Sequence, residues 1–295
     1  MKAFSDIFII YNPVSTGSSE PTAMKLERQL GKALPDVSIK SLPTKYAGHA
    51  EELVYELATS HKKPLIISSS GDGGYHEVIN GAMKAKKAKK VAITAVLPAG
   101  NANDHSRTMQ ERPLAEAIIA GKITAIDLLE VTIHTKGKKL VRYAHSYAGL
   151  GLTPVIATEL NRHTLNAFRE TWLVLTTFFK HRPFTIRHSN KLIILDSLIF
   201  TNINEMAKIL TLAQDNKPDD GKFEVISFPH AHKFLLIKKL FRAATVGLQT
   251  TRRENTYSFE VIKKMPLQLD GEVTTLAAGA RVKISAAPMA LKTII

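Results

Sequence analysis

The residues with the most chemical promise stand in one run, SSSGDGGYHEVINGAM at 68–83. An apolar triplet, Leu65, Ile66 and Ile67, precedes it and reads as a short buried strand. Behind it Val78, Ile79, Ala82 and Met83 recur at helical spacing. Strand, glycine turn and helix in that order build a seat for an anion. Gly71, Gly73 and Gly74 let the backbone approach a ligand, and the helix start offers backbone N–H groups and the positive end of a dipole. No GK[ST] follows the glycines, so this is not a Walker A loop. Asp72 lies inside the seat, where a carboxylate repels a bare phosphate. Three tasks fit it: meeting phosphate through a cation, handling a proton, or capping a helix.

The elements that must position this run are legible on both sides of it. The strand pattern IFIIY at 7–11 breaks at the polar loop Asn12 to Ser19 and resumes as a helix over 21–32. VSIKSL at 37–42 leads through Thr44 to His49 into a helix over 49–60, and VAITAVL at 91–97 leads into PAGNANDHSR at 98–107. Strand alternating with helix four times predicts an α/β domain with a mostly parallel sheet and helices on both faces. In such a sheet each strand-to-helix loop emerges at the carboxyl edge, where ligands bind. The clusters at 12–19, 44–49, 70–76 and 101–104 are therefore expected to converge on one cleft, a nucleotide site.

Near Ile126 the pattern turns to strands: 126–133, 140–147, 191–203, 222–228, 257–265, 266–270 and 280–286. A β-rich domain over 127–295 is expected to follow an α/β domain over 1–126. Two helical patterns interrupt it, at 163–181 and 231–243. The second, with Phe234, Leu235, Ile237, Leu240 and Phe241 beside Lys233, Lys238, Lys239 and Arg242, is a basic amphipathic face that packs on a core or lies on a membrane. His230 and His232 lack a third ligand and are not counted as a metal site.

Forty basic residues against 26 acidic ones leave a formal charge of +14, which calls for an anionic partner. The charge is spread along the chain without the aromatic interleaving of a single-strand binder, so an anionic membrane surface is favoured over nucleic acid. The run closest to a membrane span, TWLVLTTFF at 171–179, is too short. The chain has no cysteine, hence no disulfide framework and no thiolate metal site, which fits the cytoplasm. A homodimer is compatible with the sequence.

GDGGYHEVING at 71–81, LPAGNANDHSR at 97–107 and LDGE at 269–272, together with YNPVSTGSS near the start and PDDGKFEV at 218–225, resemble the diacylglycerol kinase catalytic family. That resemblance implies a nucleotide domain similar to phosphofructokinase and NAD kinase, a β-sandwich, and a final segment at about 286–295 returning to the first domain. It implies ATP as donor and a lipid hydroxyl as acceptor. By position, Thr44, Ser70, Gly71, Asp72, Gly73, Gly74, Tyr75, His76 and Asn101 match nucleotide-binding residues, with Asn12, Asn103 and Asp104 at neighbouring motif positions. Glu272 matches the general base, and Asp72 is expected to orient a catalytic Mg²⁺ or assist with the proton. Asp220, with the carbonyls of Lys217 and Lys222, matches a structural Mg²⁺ position.

The chain departs from the family pattern at two places. GGDGT stands here as SGDGG at 70–74, and PxGTxND stands as PAGNAND, with Asn101 in place of a threonine. An asparagine amide can donate to phosphate, whereas Gly74 offers only its backbone N–H, so the preferred nucleotide stays open. Three other functions compete: a soluble-substrate kinase of the NAD-kinase type, a non-catalytic nucleotide or lipid sensor, and a nucleic-acid binder resting on charge alone.

Overall fold

The computed structural model describes residues 3–15, 18–100, 103–151, 182–203, 205–206, 210–211, 219–230 and 252–295. The helical patterns at 163–181 and 231–243, and with them His232, lie outside the described residues, as do Asn101 and Lys217. The backbone divides into two compact units, residues 1–127 with 288–295, and residues 128–287.

The first unit opens with β1 (Asp6–Tyr11), α1 (Ser19–Ala33), β2 (Ser38–Pro43), α2 (His49–Ser60), β3 (Leu65–Ser70), α3 (Asp72–Lys87) and β4 (Ile93–Pro98). Two short helices follow, α4 (Asp104–Met109) and α5 (Leu114–Ala120). β2 pairs with β1, β1 with β3 and β3 with β4, all parallel, giving the order β2-β1-β3-β4. The alternation of the strands sorts their side chains to two faces. Ile7, Ile9, Leu65, Ile67, Ile93 and Ala95 form one core with Ala23, Leu26 and Leu30 of α1 and Leu114 and Ile118 of α5. On the opposite face Tyr75 of α3 reaches Thr94 of β4, its hydroxyl 3.1 Å from the threonine oxygen. Helices thus cover both faces, as the fourfold alternation requires.

Residues 288–295 complete this unit. Thr293 pairs in parallel with Thr94, and its hydroxyl donates to the Thr94 carbonyl at 3.0 Å. Tyr75 Oη lies 3.3 Å from Thr293 Oγ1, and Lys86 Nζ donates to the Ala290 carbonyl at 2.6 Å. A buried hydroxyl needs such a partner, so Tyr75 ties α3 to the end of the chain.

β5 (Thr124–Thr135) leads into the second unit, which holds β6 (Lys138–Ala144), β7 (Tyr147–Gly151), β8 (Phe184–His188), β9 (Lys191–Thr201), β10 (Glu205–Met206), β11 (Leu210–Thr211), β12 (Phe223–Pro229), β13 (Arg252–Glu254), β14 (Thr256–Val261), β15 (Met265–Leu269), β16 (Glu272–Leu276) and most of β17 (Arg281–Thr293). β16, β15, β7, β9, β8, β14 and β17 neighbour one another in that order, all antiparallel. Along its second half β9 also pairs with β12. The inward residues, among them Leu150, Leu198, Phe200, Phe259, Leu267 and Val282, form one apolar core.

Several elements differ from the sequence expectation. The strand expected over 140–147 breaks at His145 and Ser146, because their N–H groups and that of Tyr147 all turn onto the carboxylate of Asp270, at 2.8, 2.9 and 3.0 Å. β8 and β16 were not expected; each is one arm of a two-residue hairpin. Ser189 and Asn190 turn the first with φ of 48° and 63°, and Asp270 and Gly271 turn the second with φ of 49° and 97°.

Helices α2 and α3 pack so closely that a Cβ placed on Gly81 would lie 2.5 Å from the Glu51 carbonyl oxygen and 2.7 Å from Val54 Cβ. Gly81→Ala is expected to force the helices apart and cost about 1–3 kcal/mol, the range of an overpacked core, read as a lower urea midpoint.

Candidate functional site

With the order β2-β1-β3-β4, the direction in which successive strands are added reverses between β1 and β3. That is the switch point at which open α/β sheets leave a crevice beyond their carboxyl ends. The loop after β1 starts at Asn12, and the loop after β3 is Gly71 followed at once by α3. Gly71 is the extended N-cap of α3 and no side chain caps that helix end, so its first backbone N–H groups stand where the sequence leads one to expect an anion seat.

The loop after β4 is locked to this seat. The Gly71 and Gly100 backbones touch: a Cβ on Gly100 would lie 2.4 Å from Gly71 Cα. Asn103, held at a φ of 53°, closes the loop on itself, its Oδ1 accepting from Gly100 N at 3.0 Å and its Nδ2 donating to Gly100 O at 2.8 Å. Asp72 then joins the two segments. Its Oδ2 accepts the Asp104 N–H at 3.1 Å and its Oδ1 the His105 N–H at 3.2 Å. The carboxylate that looked out of place beside phosphate is thus applied to the first N–H groups of α4, where a negative charge is favourable. Asp104, fully buried, pairs with Arg107 at 3.0 Å.

Two further contacts fix the remaining loops, through residues the sequence reading did not single out. Glu77 of α3 accepts the Gly48 and Ala50 N–H groups at 2.8 and 3.1 Å, capping α2 and setting the 44–49 loop. Thr44 itself donates its N–H to the Tyr11 carbonyl at 2.8 Å. Ser19 accepts the Asn12 N–H at 3.2 Å and donates to the Ser69 carbonyl, while Ser69 Oγ donates to Ser19 O at 2.7 Å. Asn12 Oδ1 accepts the Val14 N–H at 3.0 Å. Beside this loop burial pushes the Tyr11 phenol upward, with the Glu20 and Glu27 carboxylates adding to it, so it stays neutral at physiological pH.

The expected nucleotide residues therefore fall into two groups. Ser70, Gly71, Gly73 and Gly74 are partly exposed at the seat. Tyr75 and His76 are buried, Tyr75 on Thr94 and Thr293 with its N–H given to the Gly71 carbonyl at 3.2 Å, and His76 beside Asn80, so neither side chain faces the seat. Ser70 and Gly74 also prove to be coupled. A Cβ on Gly74 would lie 2.6 Å from both Cβ and Oγ of Ser70, closer than side chains approach. A side chain at 70 thus excludes one at 74, so the two departures from the family pattern fit one steric exchange; Ser70 Oγ lies 2.7 Å from Ser68 Oγ.

In the second unit Glu272 is exposed at the start of β16, immediately after the Asp270–Gly271 turn. Asp270, buried, anchors that turn through the three N–H bonds described above, and His145 Nε2 lies 3.5 Å from its Oδ2. Asp220 Oδ1 accepts the Lys222 N–H at 3.0 Å, and its Oδ2 is taken by Arg253. Among the described residues no group of three or more His, Cys, Asp or Glu side chains could hold a metal ion, and no helix is long and apolar enough to cross a membrane.

A parallel sheet with a helix start at its switch point and a β-rich second unit is the layout expected from the sequence. Residues 6–131 match the family model of the diacylglycerol kinase catalytic domain. The family resemblance read from the motifs is thereby shown, and the chain is a phosphotransferase acting on an alcohol group, with ATP as the donor that a kinase catalytic domain implies. A diacylglycerol kinase structure from Bacillus anthracis str. Sterne is similar at 18% identity over 99% of this chain and 97% of that one, with a TM-score of 0.71. A second structure from the same organism, at the same identity and coverage, gives 0.73. Yeast NADH kinase complexed with NADH is similar at 11% identity over 98% of this chain and 82% of that one, with a TM-score of 0.52. At these identities the likeness shows the fold. No curated protein matches the chain.

The coupling at positions 70 and 74 makes a test. Gly74→Thr alone is expected to weaken ATP binding and lower the melting temperature, and adding Ser70→Gly to restore both toward wild type. Calorimetric titration of the single and double variants checks it, and additive losses in the double variant would contradict the exchange.

Proposed function

We propose that the chain transfers the γ-phosphoryl group of ATP to a hydroxyl of a membrane lipid such as diacylglycerol. The observation that carries this reading is the uncapped start of α3 at the switch point, with the β4 loop clamped onto it by Asp72. Phosphoryl transfer asks mainly for positioning and charge neutralisation, and a rigid nest of N–H groups provides both. Mg²⁺, arriving with the nucleotide, supplies further neutralisation of the phosphate charge.

In this reading Glu272 accepts the proton of the lipid hydroxyl as the hydroxyl oxygen attacks the γ-phosphorus. The bond from that phosphorus to the β–γ bridging oxygen breaks, and ADP leaves with the electron pair. Glu272 suits the part because it is exposed on a short hairpin whose turn is anchored by the buried Asp270, so its backbone is held while its carboxylate meets solvent. Asp72 acts as a positioning residue for the nucleotide. The lipid acceptor is supported by the family match and by the diacylglycerol kinase structures of like fold. The excess of 14 positive charges suits an anionic bilayer, to which the protein binds peripherally from the cytoplasmic side.

A second reading, a kinase for a soluble nucleotide, is favoured by the likeness to yeast NADH kinase. The two separate in one assay. Labelled γ-phosphate from Mg·ATP is expected to enter the organic phase when vesicles carry diacylglycerol or another acceptor alcohol. Glu272→Gln is expected to lose at least ~100-fold in turnover, the low end of what a general base contributes, with ATP affinity unchanged. Label on NAD without vesicles would favour the second reading, and near-normal turnover of Glu272→Gln would remove that residue from the mechanism.

A further inference from the structure

The family resemblance implies a divalent cation on Asp220, and the side chains around it do not fit one. The Asp219–Lys222 turn, with Gly221 at a φ of 72°, closes as Asp220 Oδ1 accepts the Lys222 N–H at 3.0 Å. Its other oxygen accepts from Nη2 of Arg253. Arg253 lies directly across the ladder from Glu224, β13 against β12, and its Nε donates to Glu224 Oε1 at 3.1 Å. Glu224 is 3% exposed, so its charge is one the fold cannot leave unmatched.

We infer that Arg253 takes the place of the divalent cation, its guanidinium bridging Asp220 and Glu224 so that β12 and β13 pair without metal. A guanidinium presents N–H donors in a fixed fork and stays charged at any working pH, so it can face one carboxylate with Nη2 and the other with Nε. A magnesium ion would need near-octahedral oxygen ligands at about 2.1 Å, and on Asp220 it would stand within contact distance of the guanidinium charge. The two cations exclude each other. The chain therefore needs Mg²⁺ only as the partner of its nucleotide, and this holds whichever acceptor is phosphorylated.

The test uses the whole, nucleotide-free protein. Its melting temperature is measured in EDTA and in millimolar MgCl₂, for wild type, Arg253→Met, Arg253→Lys and Asp220→Asn. Wild type is expected to melt at the same temperature in both buffers. Arg253→Met is expected to melt several degrees lower, or to fail to fold, and Arg253→Lys, a point charge without the fork, to fall between. A wild-type melting temperature that rises with Mg²⁺, and no longer rises in Asp220→Asn, would overturn the inference. So would Arg253→Met melting with wild type in both buffers.

Discussion

The first unit depends on a carboxylate meeting backbone N–H groups. Asp72 holds the start of α4, Glu77 holds the start of α2, and both side chains come from α3. Each such charge-assisted bond contributes about 1.5–3 kcal/mol, and together they fix where two loops end relative to the start of α3. Different faces of α3 then make the remaining contacts. Tyr75 reaches down to Thr94 and Thr293, Gly81 lets α2 pack against the helix, and Lys86 holds the Ala290 carbonyl. One helix thus carries the seat, sets the neighbouring loops and secures the chain's last strand.

The second unit uses the same device once more. Asp270, at the tip of the β15–β16 hairpin, gathers three N–H groups from the corner between β6 and β7. A buried carboxylate with three donors is costly to disturb, so the turn that precedes Glu272 is firmly held. Firm backbone and exposed carboxylate together suit a proton acceptor. Where a carboxylate lacks backbone donors on both oxygens, as at Asp220, an arginine completes it.

Much of this was legible in the sequence because it rests on short-range pattern. Apolar triplets such as Leu65 to Ile67 and helical spacing such as Val78, Ile79, Ala82 and Met83 are local, and the four βα repeats follow from them. The carboxyl-edge loops follow in turn from the parallel order. What was not legible depends on contacts between distant residues. Asp72 admitted three tasks in the sequence, and the N–H groups that give it one lie more than 30 residues on. The break at His145 has no local cause, since Asp270 makes it from 125 residues away. Arg253 sits in a run of charges, RRE, with nothing to say which carboxylate it meets. The hairpin at Asp270–Gly271 is a different case: the Asp-Gly signal was present, and LDGE was read for its chemistry while its turn went unread. Short α4 and α5 carry too few turns to show a period.

The account turns on Asp72 as the clamp between the start of α3 and the β4 loop, and amide hydrogen exchange at Asp104 and His105 examines it most directly. In wild type these two N–H groups should exchange slowly. In Asp72→Ala they should exchange at rates approaching those of an open loop, while the amides of β1 and β3 keep their protection. Unchanged protection at Asp104 and His105 in the variant would contradict the account, because the loop would then be held by something other than this carboxylate.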